Sequence, residues 1–307
     1  MTESQYLTAV YAFSPLGPAR IILLLSYFGS AKKIWGASVT DLIKTGLKPY
    51  LVNNFSTHRK KFDIQKYFER VRQLDIGVVT VFQKGYPSNL KTIDGAPLVL
   101  YFKGSLDCLK GNSVSIVGSR KMTSYGGEVT EEFSGNLAKH GVTIVSGLAR
   151  GVDTVAHKAC LSVGGKTAAI LGNGLDRIYP PENKNLAEEI VRAKGVLISE
   201  YPLGHPPLPA NFAIRNRIIS GLSDAVVVVE GEKKSGTLLT AKHAAEQGKT
   251  LFAVPGQIFS QLSAAPLYLL KNGAMIATSV NDILEELDLQ KKVSVTRKKR
   301  KTLLSSR

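Results

Sequence analysis

The stretch "SVSIVGSRKMTSYGGE", residues 113–128, runs from an apolar strand into a glycine turn and then into a helical pattern. Nucleotide-binding α/β domains hold phosphate with such a turn. Glycine lets the backbone approach the ligand, and amides at a helix start attract the anion. Here the turn reads Gly118-Ser119-Arg120-Lys121-Met122-Thr123. A dinucleotide loop needs G-x-G-x-x-G and an acid at the end of the second strand for the ribose. Arg120 stands where a small residue is required, and the second strand ends at Ser146-Gly147, so both requirements fail. An arginine in that place suits a phosphate met from the side, because its planar fork matches two phosphate oxygens.

Other chemistries find less support. "GGKT", residues 164–167, mimics the end of a Walker A loop, but the leading glycine would fall at Cys160. The segment also precedes a strand instead of following one, which argues against an ATPase and leaves Lys166 as a surface residue or a contributor to a basic rim. His58, His140, His157, His205 and His243 are scattered, with no H-E-x-x-H, so no metal is expected. Asp153 and His157 stand four apart on one helical stretch. An acid near a helix start plus a packing histidine is preferred to a working pair. No Ser-His-Asp pattern stands out, and no cofactor or catalysis is expected from the residues alone.

The elements that must position the turn follow one rhythm. From 113 to about 288, strand-like runs "SVSIVG", "VTIVS", "TAAIL", "GVLIS", "DAVVVVE", "TLFAV" and "AMIA" alternate with helical stretches. Those stretches start near Ser124, Gly151, Glu182, Asn211, Gly236, Ala264 and Val280. The strands are almost continuously apolar, as when both faces of a sheet are covered. This alternation predicts a mostly parallel, doubly wound α/β sheet. Ligands of such sheets sit in the loops after the strands. Those loops carry Ser146, Gly147 and Arg150, then Lys184, then Phe212, Arg215, Asn216 and Arg217, then Gly236 and Thr237. With Gly118, Ser119 and Arg120 they make a phosphate-binding rim more basic than one small nucleotide needs. A lone arginine is better read as part of an internal ion pair. Three on one edge favour binding.

Ahead of this region, residues 1–72 read as short helices. Ile21, Leu24, Leu25 and Phe28 are at helical spacing, Ser38 or Thr40 can cap a helix, and Gly46 can end it. Residues 73–110 change character, with strands "IGVVTVF" and "PLVLYFKG" around a turn. The domains expected are thus 1–72, 73–288 and a basic tail over 289–307. Residues 291–307 carry eight Lys or Arg and no acid, half of the formal net charge of +16. Such charge attracts polyanions. A solvated extension with no partner is an equal reading of the tail. No apolar run reaches membrane-spanning length and no signal peptide is expected. Two cysteines do not make a disulfide framework, which suits a reducing cytoplasm.

The motifs "IVGSR", "SGLARGVDTVAH", "GNGLDRIYPPEN", "LISEYP", "RNRIISGLS", "SGTLLTAKHAAEQGK" and "FAVPG" occur in this order. Together they resemble the DNA-processing protein A (DprA/Smf) family over roughly 75 to 280. The N-terminal helices also look like that family's sterile-alpha-motif-like domain. The resemblance implies an extended Rossmann-like fold that binds single-stranded DNA in natural transformation. It implies protection of incoming strands, loading of the RecA recombinase, no nucleotide hydrolysis and a homodimer built through the Rossmann-like domain. It assigns Arg120, Arg215, Asn216 and Arg217 to DNA, with Phe212 as a stacking surface. Lys166 and Lys184 are weaker assignments.

The chain departs from the family pattern in three places. Ala213 replaces a usual proline, "SAAPLYLLKNGA" replaces a Gly- and Asn-containing segment near the expected dimer surface, and the basic tail stands where many members have a winged-helix domain. The alternative is an enzyme, a nucleoside-monophosphate phosphoribohydrolase of a related lysine-decarboxylase-like fold. Its signature, P-G-G-x-G-T-x-x-E, ends in a catalytic acid. The matching stretch here, "KKSGTLLT", keeps Gly236-Thr237 and puts Thr240 in the acid's place, so binding is preferred.

Overall fold

The computed structural model describes residues 1–287 except Lys234, and the expectations about the basic tail fall outside that range. Six helices come first: α1 (Glu3–Tyr11), α2 (Gly17–Phe28), α3 (Ala31–Gly36), α4 (Val39–Lys44), α5 (Pro49–Lys61) and α6 (Ile64–Gln73). Their limits have local causes. Ser38 caps α4 by accepting from the Asp41 amide at 3.1 Å, and Gly29 ends α2 in the left-handed region.

The alternating region then unfolds as expected. In chain order it contains β1 (Gly77–Thr80), α7 (Ser88–Lys91), β2 (Val99–Gly104), β3 (Ser113–Val117), α8 (Ser124–Lys139), β4 (Thr143–Ser146), α9 (Val152–Ser162) and β5 (Thr167–Leu171). It continues with α10 (Lys184–Arg192), β6 (Val196–Ser199), α11 (Pro209–Gly221), β7 (Ala225–Val228), α12 (Gly236–Glu246), β8 (Thr250–Ala253), α13 (Ala264–Lys271), β9 (Met275–Ile276) and α14 (Val280–Glu286).

Among the described residues the strands form one sheet of order β1-β2-β6-β5-β4-β3-β7-β8-β9. The seven strands from β6 to β9 are parallel, and β1 and β2 add an antiparallel edge. From β3 the order runs outward both ways, so the topological switch lies between β3 and β7. A crevice is expected there, outside the carboxyl ends of the strands. This is an extended Rossmann-like fold.

Both faces are covered, which is why the strands lack polar alternation. Val145, Ile170, Ile198, Val226 and Val228 pack on one face with α11, α12 and α13. Val114, Ile116, Ile144, Val227 and Phe252 pack on the other with α8, α9 and α14. Ser113 and Ser115 are buried but satisfied. Their hydroxyls donate to the carbonyls of Leu222 (2.8 Å) and Ile219 (2.9 Å), fixing the end of α11 against β3.

The N-terminal helices are not separated from the sheet by a polar seam. Leu7, Leu24 and Phe55 belong to the same buried cluster as Val99, Tyr101, Leu171 and Leu197. The Tyr67 hydroxyl meets that of buried Tyr101 at 3.0 Å and accepts from the Leu203 amide at 3.1 Å. Tyr101→Ala is therefore expected to cost about 3–5 kcal/mol. Urea unfolding should show one shifted transition by both tryptophan fluorescence, which reports Trp35, and far-UV circular dichroism.

Candidate nucleic-acid interface

The crevice at the switch point is a real cleft of ≈ 510 Å³. Its floor is the carboxyl end of β3. One wall is the β3–α8 turn with Gly118, Ser119, Arg120 and Lys121, and the other is α11 with Phe212, Arg215 and Asn216. The start of α12, with Ser235, Gly236, Thr237 and Thr240, closes the end.

The turn is built by close approach. Gly151 has φ +71, and a Cβ there would run into the Ser119 carbonyl and Arg120 backbone. Glycine thus lets the β4–α9 loop sit against the β3 turn, where the Val152 amide donates to the Ser119 carbonyl at 3.1 Å. The Ser119 hydroxyl accepts from the Lys121 amide at 3.0 Å. Arg120 itself is exposed, with its guanidinium carbon 5.8 Å from the Phe212 ring centroid.

The three arginines have different surroundings. Arg215 and Arg217 lie within α11 and not in a loop, and residues two apart on a helix point in different directions. Arg215 is 3 % exposed and donates through Nη1 to the carbonyls of Gly147 (2.7 Å) and Ile170. Burial lowers its pKa to about 10, against the pull of Asp153. Its Nε is buried without a partner among the described residues, and the residue borders the cleft. Arg217 does not join the cleft. Its two terminal nitrogens each lie 2.7 Å from a carboxylate oxygen of buried Glu200, and its Nε donates to the Gly95 carbonyl at 3.2 Å. Tyr11 of α1 donates to the same carboxylate at 3.2 Å.

The remaining expected residues divide. Gly118, Ser119, Arg120, Phe212, Arg215, Asn216, Gly236 and Thr237 all border the cleft. Ser146 and Gly147 lie behind it: the Ser146 hydroxyl donates to the Ile116 carbonyl, and a Cβ on Gly147 would meet the Arg215 guanidinium. Arg150 is exposed and paired with Glu182, beside exposed Lys184 at the start of α10. Lys166 is a correction. It precedes β5, so it sits at the amino ends of the strands, where its carbonyl accepts from the Ile144 amide, and it is not part of the rim. The start of α11 is another: Pro209 occupies the first turn, two residues before the expected start.

Lys121, Asp153, Ser235, Glu232 and Leu239 also border the cleft and are absent from the expected rim. Lys121 has a signal, since it is adjacent to Arg120 in the turn. Asp153 and His157 do not pair. The Asp153 carboxylate accepts the amides of Gly147 (3.0 Å) and Ala149 (3.3 Å), and burial pushes its pKa up. His157 meets the Thr167 hydroxyl at 2.6 Å. That hydroxyl donates to the Ile144 carbonyl, so the imidazole donates from Nδ1 and leaves Nε2 bare, neutral and buried.

The cleft therefore offers an exposed guanidinium and ammonium, an aromatic ring close to two arginines, and the amino end of an eleven-residue helix. These parts fit a phosphate with a flat apolar group beside it. No group of His, Cys, Asp or Glu able to hold a metal is found among the described residues.

The profile of a family described as DNA recombination-mediator protein A matches residues 77–288. Protein Smf of Synechocystis is 38% identical over 291 residues, which cover 93% of this chain and 73% of that protein. The structure of DNA processing protein A from Streptococcus pneumoniae superposes with a TM-score of 0.79 at 34% identity, covering 93% of this chain and 98% of that one. A structure from Helicobacter pylori, described for its single-stranded DNA binding mode, matches with a TM-score of 0.62 at 30% identity, over 69% of this chain and 95% of that one.

Two predictions come from the buried groups. Arg217→Ala strands the Glu200 carboxylate and should cost about 3–5 kcal/mol in urea unfolding, whereas Arg120→Ala should stay within about 0.5 kcal/mol. The pKa of His157 is lowered by burial to about 3. Between its unfolded value, near 6.5, and about 3, the unfolded chain binds a proton that the fold excludes. Stability should thus fall with acidification across that window, by up to about 1.4 kcal/mol per pH unit from this residue. His157→Gln should flatten the slope of unfolding free energy against pH between 6.5 and 5 by about that amount.

Proposed function

The chain belongs to the DNA recombination-mediator protein A family, and we propose that it binds single-stranded DNA along the rim centred on Arg120. The observation that carries the reading is the cleft at the β3/β7 switch point, where Arg120 and Lys121 stand exposed beside Phe212. A phosphate would take Arg120, Lys121 and the open amides at the start of α12, and a base would take the ring. Arg215 acts from beneath by fixing α11 and Phe212. Arg217 supports the same helix from its other flank.

The strand so held is protected and handed to RecA, and two copies assemble through the Rossmann-like region. The protein does this without hydrolysing nucleotide, in the cytoplasm. What supports a binding role over a phosphoribohydrolase is the cleft's chemistry. Thr240 occupies the position of that enzyme's acid and is 2 % exposed, and Asp153 directs its lone pairs to loop amides. No described helix is long and apolar enough to cross a membrane.

Arg120→Ala should weaken binding to oligonucleotides of any sequence and reduce the slope of log affinity against log salt by about 0.7. Fluorescence anisotropy at several salt concentrations measures both. An unchanged slope in the folded variant removes Arg120 from the contact. Free base released from nucleoside monophosphates by the purified protein would replace the reading with the enzymatic one.

A further inference from the structure

Beside the first cleft lies a second cavity of ≈ 660 Å³ that the expected DNA contacts do not use. It is lined by Thr123, Tyr125, Glu230, Gln257, Ser260 and Ser263 among others, with no lysine or arginine among the described residues. A phosphate would find no cation inside. A nucleobase would find hydroxyls, an amide and a carboxylate, the groups that read a base edge.

The Glu230 carboxylate is 4 % exposed and held in place. It accepts from the Thr123 hydroxyl (2.6 Å) through one oxygen and from the Thr123 amide (2.9 Å) through the other. A Cβ on Gly126 would strike it, so the glycine makes room for the acid over the first turn of α8. Each carboxylate oxygen keeps a further lone pair for a donor.

Two shared segments join the cavities. The turn at 118–123 sends Lys121 into the first cleft and Thr123 into the second, and the segment after β7 sends Glu232 into the first and Glu230 into the second. Two residues of chain reach at most about 7 Å, so one polynucleotide can occupy both. Lys121 is exposed and only two residues from Thr123 on that shared turn, so a phosphate linking the two cavities would pass near it.

Two residues that line the second cavity, Gln257 and Ser260, flank an exposed aromatic side chain. Gln257 and Ser260 close a turn, the Ser260 amide donating to the Gln257 carbonyl at 3.0 Å. The two residues at its tip, Ile258 and Phe259, are 75 % and 95 % exposed. The loop is anchored, since the Gly231 amide donates to the Leu262 carbonyl at 2.6 Å and the Ala265 amide to the Gly231 carbonyl at 2.8 Å. A bare phenylalanine on an anchored turn next to a hydrogen-bonding cavity has the flat apolar face that a base can stack on.

We propose that a single strand leaving the first cleft crosses Lys121 and places its next base in the second cavity, with Phe259 stacking at the entrance. This inference rests on the proposed single-stranded DNA binding. The test uses the full chain with a fluorescent oligothymidylate. Phe259→Ala should bind about tenfold more weakly while its thermal melt is unchanged, because the ring touches almost nothing in the fold. The fluorescence of Phe259→Trp should be quenched by an unlabelled oligothymidylate, beyond any change shown by the wild-type protein, whose one tryptophan is Trp35.

Unchanged affinity of Phe259→Ala and no added quenching in Phe259→Trp, with wild-type binding intact, overturn the second subsite and leave the first. Lack of any wild-type binding overturns both. Unchanged affinity with a loss of self-association in sedimentation makes Phe259 a contact between copies and also overturns the proposal.

Discussion

A guanidinium buried beneath the rim fixes most of what lies above it. Arg215 is a cation removed from water, a state that is tolerated only where acceptors are already in place. The ends of β4 and β5 supply them as the carbonyls of Gly147 and Ile170, and Asp153 adds a nearby negative charge. Gly147 must lack a side chain for the guanidinium to fit, and Asp153 in turn holds the loop that presents Gly147. Helix α11 is thereby tied to two parallel strands at once. Phe212, three residues earlier on that helix, borders the cleft with the guanidinium carbons of Arg120 and Arg215 at 5.8 Å and 5.9 Å from its ring centroid.

The other flank of α11 uses the same kind of contact for a different purpose. Arg217, Glu200 and Tyr11 join the rim helix, the end of β6 and the first helix of the chain in one buried network. Burial drives the Tyr11 hydroxyl well above its ordinary pKa, and the Glu200 charge reinforces the shift. The pair confers orientation more than net stability, since buried ion pairs roughly offset their own desolvation. Breaking it from either side is what costs. The N-terminal helices therefore have a polar hold on the element that carries Phe212, beside their apolar packing on the sheet.

Much of the fold is legible because parallel strands buried on both faces leave unbroken apolar runs, of which the β-branched "DAVVVVE" is the clearest and "TAAIL" is read from its place in the alternation. The turn at Gly118–Arg120 is legible for a local reason: its glycine, hydroxyl and arginine are contiguous. The fates of the other two arginines are not. "FAIRNR" has Arg215 and Arg217 two apart, and only the packing of α11 shows that one faces strand ends and the other faces Glu200. The place of Lys166 is legible, because "GGKT" leads into the strand "TAAIL" and a loop ahead of a parallel strand lies at the amino ends, away from the rim. Phe259 gives no signal at all, because a lone aromatic in "PGQIFSQ" looks like ordinary core until its exposure is known.

The switch point explains why a basic cleft and a cation-free cavity stand side by side. From β3 and β7 the chain leaves toward opposite faces, so the segments after them, 118–123 and 229–232, must part over the same spot. Each therefore has one side on the α11–α12 layer and another on the α8 layer. On the first side the exposed residues are Arg120 and Lys121, facing a helix start that attracts anions. On the second, Glu230 is already engaged with Thr123 at the head of α8, and a cation there would compete for the carboxylate that holds the helix. The need to secure the start of α8 thus accounts for a second cavity that, among the described residues, is rich in hydroxyls and lined by no cation, the chemistry on which the proposed division between phosphates in one cleft and bases in the other rests.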